Sequence, residues 1–277
     1  MLLPVGDTQL FCDVIGNGSP VLAFHGGLGL DHQYLRPWLD PLADSAQIIF
    51  FDLRGHGRSG GRETLATSDH ATLCADADCV RDQLTTEPVV VFGHSYGGFL
   101  ALDYALRYPT RVAALVLCST AASATHAPTA VGLAASRGMP EALAELHRAL
   151  AEPSRSDDEF AASWRSVLPL YFHRNDPERT ASAFAKTIFS AEGYNRAFFS
   201  WLAQFDLRGR LGEIDAPTLV ISGADDWIMP PELAGNELTE GLPHAEQIVF
   251  RHSGHFPFIE ENERFTEIVG TWLREVA

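Results

Sequence analysis

The stretch Val89-Val90-Val91-Phe92-Gly93-His94-Ser95-Tyr96-Gly97-Gly98 constrains this chain more than any other. Four apolar residues after Pro88 read as a short strand buried on both faces. Gly-His-Ser-Tyr-Gly interrupts them, and an amphipathic run from Phe99 to Tyr108 follows as a helix. Strand, tight turn and helix is the setting in which G-x-S-x-G presents a serine hydroxyl for nucleophilic attack. The reason is steric. A hydroxyl pushed out at the tip of such a turn sits on strained backbone, with neighbouring segments pressed close. Gly93 and Gly97 lack the Cβ atoms that would collide there. The helix starting beyond Tyr96 aims unpaired N–H groups at the space above Ser95, where an oxyanion could form. Outside this setting the same pattern is only a Gly/Ser turn.

The rest of the chain is organised to match. Leu2–Val5 and Leu10–Val14 are short strands around a turn at Gly6-Asp7, expected as an antiparallel edge. Val21–Phe24 and Gln47–Phe51 are buried strands, with a helical pattern over Tyr34–Leu42 between them. Thr67–Leu84 reads as a helix with Thr67 or Ser68 as N-cap. Val112–Cys118 is the strand after the Ser95 unit. From Ala121 to about Asp206 the pattern is helical, punctuated by prolines and rich in aromatics, with no strand of consequence. Strand rhythm resumes with Leu219–Ser222, a helix near Pro231–Leu238, the strand Gln247–Phe250 and a last helix over Glu260–Glu275. Alternating strands and helices predict an α/β fold with a mostly parallel sheet. The expected division is a core of residues 1–120 and 208–277, with residues 121–207 inserted as a helical cap.

A serine hydroxyl needs a base to take its proton, and the base needs a third group to orient it. In folds of this kind the acid and the histidine follow the serine in chain order, each on a loop after a strand. After Leu219–Ser222 come Asp225 and Asp226, of which Asp226 is favoured and Asp225 stays open. The other acid position, after Val112–Cys118, is empty, because Ser119 to Pro140 holds no Asp or Glu. After Gln247–Phe250 come His252 and His255; Gly254 before His255 suits a loop bringing a ring close to other backbone, and His255 is the expected base. Negative charge on a substrate oxygen requires fixed backbone donors. Tyr96 N–H is one by its place after the serine, and Gly27 N–H in His25-Gly26-Gly27-Leu28-Gly29 is the expected second, with Leu28 as runner-up.

Composition limits the partners. With 36 acidic against 20 basic residues the formal charge is −16, which disfavours nucleic acid and anionic membranes. No stretch approaches a membrane-spanning run, and the start has no basic, apolar leader. Cys12, Cys74, Cys79 and Cys118 form no C-x-x-C pair and read as free buried thiols of a reducing, cytoplasmic compartment. No zinc spacing or phosphate loop is present, so neither metal nor organic cofactor is expected.

These motifs, HGGLG, DLRGHGRS, GHSYGG, GADDWIMP and SGHFPFIEE, together resemble the α/β-hydrolase superfamily, in order and across the whole core. More narrowly, His25–Leu42 and Gly93–Pro109 resemble proline iminopeptidases and their esterase, lactonase and carbon–carbon hydrolase relatives. The resemblance implies a catalytic triad of Ser95, Asp226 and His255. It favours Asp226 because the family's acid lies three after the glycine and four before the proline, matching Gly223 and Pro230. It assigns Asp52, Arg54, His56 and Arg58 to holding neighbouring loops rather than to chemistry. Two departures weigh against a peptidase. Leu28 stands where the iminopeptidase loop has proline, and the cap lacks the acidic-aromatic pattern that captures a free amine; Glu178, Glu192 and Asp206 are its weak candidates. The expected enzyme therefore cleaves a small carboxylic ester or lactone through an acyl-enzyme, in a pocket including Leu28, Trp227 and Phe256. It would act as a monomer or homodimer on a small molecule. An aminopeptidase or other amide or carbon–carbon hydrolase is the alternative, and a slow-turnover receptor on the same fold the rival from another class.

Overall fold

The computed structural model describes residues 1–276. Eight strands form one sheet: β1 (Leu2–Val5), β2 (Thr8–Ile15), β3 (Pro20–Phe24), β4 (Gln47–Phe51), β5 (Val89–His94), β6 (Val112–Cys118), β7 (Thr218–Gly223) and β8 (Ala245–Phe250), in the order β1-β2-β4-β3-β5-β6-β7-β8. β1 and β2 make the antiparallel edge, β2 runs antiparallel to β4, and every other neighbour pair is parallel. β5 lies inside the sheet and is buried along its whole length. Its residues alternate, Val90 and Phe92 packing into the core on one face, Val89 and Val91 into that on the other. That explains an unbroken apolar run where a half-exposed strand would alternate.

The helices are α1 (His70–Leu84), α2 (Tyr96–Arg107), α3 (Ala127–Ala135), α4 (Pro140–Ala151), α5 (Asp157–Val167), α6 (Pro177–Ala183), α7 (Ala191–Arg196), α8 (Asn236–Gly241), α9 (Pro257–Glu260) and α10 (Asn262–Val276). Four expectations needed correction. α1 begins later than Thr67, because Asp69 caps it: its carboxylate accepts from Thr72 N–H at 2.8 Å while Thr72 Oγ1 turns back toward the Asp69 N–H. Tyr34–Leu42 forms only short 3₁₀ turns, with Pro37 lacking the N–H a continuous helix would use. The final helix divides at Glu261 into α9 and α10. Cys79 is exposed rather than buried, while Cys12, Cys74 and Cys118 are buried and all four are free.

Between β6 and β7 lie α3–α7, with no named strand among the described residues. The two ends of this segment meet in a Ser123–Asp206 bridge, with Leu207 N–H donating to Ala122 O at 2.8 Å. It is tied down again at its far side, where Ser190 N–H reaches Gly29 O at 2.8 Å and Ile188 N–H reaches Asp31 Oδ2 at 3.0 Å. No helix among the described residues is long and apolar enough to cross a membrane.

Candidate active site

Parallel pairing brings the carboxyl ends of β3, β5, β6, β7 and β8 to one edge of the sheet. The loops that follow converge there. Ser95 lies between β5 and α2 at φ 54°, ψ −122°, a conformation costing a side-chain-bearing residue roughly 1–3 kcal/mol. Neighbours hold it in place. Ser95 N–H donates to Cys118 O at 2.9 Å, and Ser95 O accepts from Gly98 N–H at 2.8 Å and from Thr120 Oγ1 at 2.7 Å. A Cβ on Gly97 would strike the carbonyls of Phe24 and His25, and one on Gly93 the backbone of Gly97 and Gly98. Only glycines allow β3, β5 and α2 to close so tightly.

The two aspartates part company. Asp226 is 2% exposed, and its Oδ2 accepts from His255 Nδ1 at 2.8 Å. Its Oδ1 accepts the N–H groups of Ile228 and Met229, each at 3.1 Å. Asp225 is exposed and pairs with His173 Nδ1 instead. A carboxylate only accepts, so the Nδ1 of His255 carries a proton, and in the neutral ring Nε2 is the nitrogen left to accept. The His255 loop is pinned on several sides: His255 N–H to Tyr171 O at 2.7 Å, Asp225 N–H to Ser253 O at 3.0 Å, and Gly254 N–H to Glu260 Oε2 at 2.7 Å. Burial raises the Glu260 carboxyl to about 7 despite the backbone donors it collects.

Ser95, His255, Gly27, Leu28, Tyr96, Trp227 and Phe256 all line one cavity of about 140 Å³. Among the described residues neither Gly27 N–H nor Tyr96 N–H has a hydrogen-bond acceptor, since Gly27 lies in a loop and Tyr96 opens α2. Gly27 takes φ +48°, which a side-chain-bearing residue rarely adopts. The residues 121–207 contribute the opposite wall, including Ala130, Leu146, Phe160, Trp164 and Tyr194. No Asp, Glu, Arg or Lys lines the cavity; its ionisable groups are histidines and tyrosines. Glu178, Glu192 and Asp206 are exposed and lie outside it. Among the described residues no cluster of three or more His, Cys, Asp or Glu has a geometry that could hold a metal ion.

The DLRGHGRS loop stands behind the site. Arg54 makes a bidentate pair with Asp76 (2.7 and 2.8 Å) and reaches Asp7 at 2.7 Å. Asp52 accepts from His32 Nδ1 at 2.6 Å and from Arg58 N–H at 2.8 Å, and His56 Nδ1 donates to Arg54 O at 2.8 Å. None of the four lines the cavity. Burial lowers His25 to about 3, leaving it neutral: its Nδ1 faces Gly26 O and its Nε2 accepts Leu53 N–H at 3.2 Å. Sequence reasoning missed Thr120, Tyr171, Tyr34 and His94, each of which has a partner 25 or more residues away. No local pattern marks such contacts.

A buried carboxylate–imidazole pair, a strained serine and two free N–H groups around one apolar cavity form an arrangement that can carry out acyl transfer. Comparison with known proteins is consistent with that chemistry. Residues 19–262 match the family described as alpha/beta hydrolase fold. A proline iminopeptidase of Lactobacillus delbrueckii subsp. lactis is 28% identical over 301 residues, spanning 98% of this chain and 96% of its own. Proline iminopeptidase PfmaB of Pestalotiopsis fici is 30% identical over 261 residues, 92% of each chain. Among solved structures, a thermophilic esterase from Thermogutta terrifontis aligns with a TM-score of 0.75 and 28% identity, over 97% of this chain and 94% of its own. On the strand order, the family match and these relatives, the chain is a hydrolase of the α/β-hydrolase fold family.

Proposed function

We propose that the protein is a serine hydrolase that cleaves a small carboxylic ester or lactone. The reading is carried by one observation: His255, paired with the buried Asp226, lines the same cavity as Ser95, whose wall holds no Asp, Glu, Arg or Lys. His255 Nε2 takes the Ser95 Oγ proton as Oγ bonds to the substrate carbonyl carbon, and the carbonyl π pair moves onto oxygen. The N–H groups of Gly27 and Tyr96 receive that oxyanion. Collapse of the tetrahedral adduct breaks the bond to the leaving alkoxide, which takes the proton from Nε2. Water then enters, gives a proton to Nε2, attacks the acyl carbon and releases the acid, returning Ser95 to its hydroxyl form. Asp226 keeps His255 in the tautomer that can accept. Residues 121–207 act as a cap on the 1–120 and 208–277 core, shaping the acyl site and excluding water.

A second reading, an aminopeptidase for N-terminal proline, is favoured by the names of the relatives at 28% and 30% identity. The lining weighs against it. A substrate ammonium buried without a carboxylate partner carries a large desolvation cost, and no carboxylate lines this cavity. Purified protein would be assayed on p-nitrophenyl butyrate, a γ-lactone and prolyl-p-nitroanilide. The ester or lactone is expected to exceed the anilide by at least about 100-fold in kcat/KM, and the reverse order would overturn the substrate assignment. Ser95→Ala is expected to lower kcat by roughly 10⁶-fold with folding intact. Rapid acylation followed by almost no turnover would favour a receptor instead.

A further inference from the structure

A chain of hydrogen bonds runs behind Ser95, and its direction can be assigned atom by atom. Gly26 N–H donates to the Tyr34 hydroxyl oxygen at 2.7 Å. The Tyr34 hydroxyl lies 2.8 Å from His94 Nδ1, and His94 Nε2 lies 2.9 Å from the backbone carbonyl of His255. A carbonyl can only accept, so His94 Nε2 carries the ring proton. Nδ1 is then bare and must receive the Tyr34 proton, which leaves the phenol oxygen free to accept from Gly26. Every link is satisfied in one direction only.

We propose that Tyr34 and His94 are positioning residues that set the oxyanion loop and the base loop against each other through this chain. Its first member, Gly26, immediately precedes the Gly27 donor, and its last is the main chain of His255 itself. Its middle member, His94, immediately precedes Ser95. Three loops from three strands, each bearing one part of the site, are thus tied by two side chains. The side chains are buried: Tyr34 is 0% exposed, His94 and His255 each 2%. Tyr34, His94 and His255 nonetheless all border the cavity, so the chain lies directly beneath the reacting groups. A Cβ on Gly26 would strike the His94 carbonyl and Ser95 Cβ, so the oxyanion loop has no slack toward the serine.

The assignment also fixes charge. The His94 and His255 rings lie 4.9 Å apart, so a charged His94 would oppose the imidazolium that His255 becomes during the cycle. Protonating Nδ1 of His94 would put a donor against the Tyr34 hydroxyl proton. Burial, with His255 nearby, holds His94 well below the usual histidine range, in keeping with this geometry. The inward-facing titratable and polar neighbours are Tyr34 on one side and His255 on the other, with Phe256 and Phe258 packed on the remaining faces.

The proposal rests on the serine-hydrolase reading above, and one set of measurements separates the two. Active serine is counted with a fluorophosphonate, and the acylation rate per counted site is measured with p-nitrophenyl butyrate. Tyr34→Phe keeps the ring and its packing but removes the hydroxyl. It is expected to lower acylation per site by roughly 10–100-fold, with KM within about twofold and weaker binding of a trifluoromethyl ketone in parallel. A merely structural role would lower Tm or the count of active sites and leave the rate per site alone. Should Tyr34→Phe fold poorly, His94→Asn is read in the same way, since its oxygen can accept from Tyr34 while the donor to His255 is gone. In the double variant Tyr34→Phe/His94→Asn the losses should fall well short of the sum of the two single losses. Wild-type protein that does not react with the fluorophosphonate overturns the serine reading and the relay with it. Reactive wild type whose Tyr34→Phe variant keeps its rate per site within twofold overturns the relay alone.

Discussion

Replacing Asp226 by asparagine tests the acid assignment more sharply than deleting it, because the structure dictates which way the amide must face. Asp226 Oδ1 accepts two backbone N–H groups, from Ile228 and Met229, at 3.1 Å each. Turning the amide NH₂ toward them would bury two unsatisfied donors, at roughly 1–3 kcal/mol apiece. The asparagine oxygen therefore stays on those N–H groups, and its NH₂ takes the place of Oδ2 opposite His255 Nδ1. Two donors cannot share that 2.8 Å contact. His255 resolves the conflict by moving its proton to Nε2, which can then no longer take one from Ser95. The expected loss is about 10⁴-fold in kcat, equivalent to about 5 kcal/mol of transition-state stabilisation, with little change in fold. Asp225→Asn is the control: that carboxylate is 43% exposed and engages His173, so kcat should stay within about twofold. Steady-state kinetics on a p-nitrophenyl ester, with far-ultraviolet circular dichroism to verify folding, reads both. Asp226→Asn retaining a tenth of wild-type kcat, or Asp225→Asn losing more than Asp226→Asn, would refute the reasoning.

Arg54→Ala should lower unfolding free energy by about 3–5 kcal/mol, because it strands the mostly buried Asp76 carboxylate. Since Arg54 lies outside the cavity, kcat per active site should stay within about threefold; urea unfolding and active-site titration check the two parts. Asp31→Asn tests a pH linkage at the tie between Asp31 and Ile188. Burial, with Asp52 nearby, raises the Asp31 carboxyl to about 6 from its usual 3.8. Its contribution to stability is thus complete below 3.8 and is lost as pH rises through 6. The urea midpoint of Asp31→Asn relative to wild type should accordingly improve from pH 4 to pH 7, and an unchanged difference would contradict the linkage.

How much of this was legible in the sequence depended on whether the signal was local. β5 announced itself because Val89–Phe92 is apolar on both faces, and Ser95 because the turn chemistry beside it is steric and short-range. Local signals also failed where two residues offered the same chemistry. Thr67, Ser68 and Asp69 can all cap a helix, and only Asp69 has Thr72 placed to close a reciprocal pair. Glu260 and Glu261 read as the opening of a helix, yet their carboxylates turn back to accept Gly254 N–H and His252 N–H. The Tyr34–His94–His255 chain spans 60 and then 161 residues of sequence. Nothing in the residues around Tyr34 distinguishes it from a tyrosine of the core.

The same distinction separates the reaction from its substrate. The groups proposed to carry acyl transfer follow β3, β5, β7 and β8, and parallel pairing alone brings those strand ends together. The groups that would select a substrate come largely from residues 121–207, where helices pack by shape and no motif fixes which side chain turns inward. Relatives named as iminopeptidase or esterase can therefore share a core while differing in what the wall accepts. In this chain the wall presents alanine, leucine and aromatic side chains, while Glu178, Glu192 and Asp206 are exposed outside the cavity. An acyl group gains from such a lining by losing contact with water; an ammonium loses its hydration and gains no partner. The physical argument for an ester or lactone thus rests on the cap residues, and it would fail first if a carboxylate moved into that wall when substrate binds.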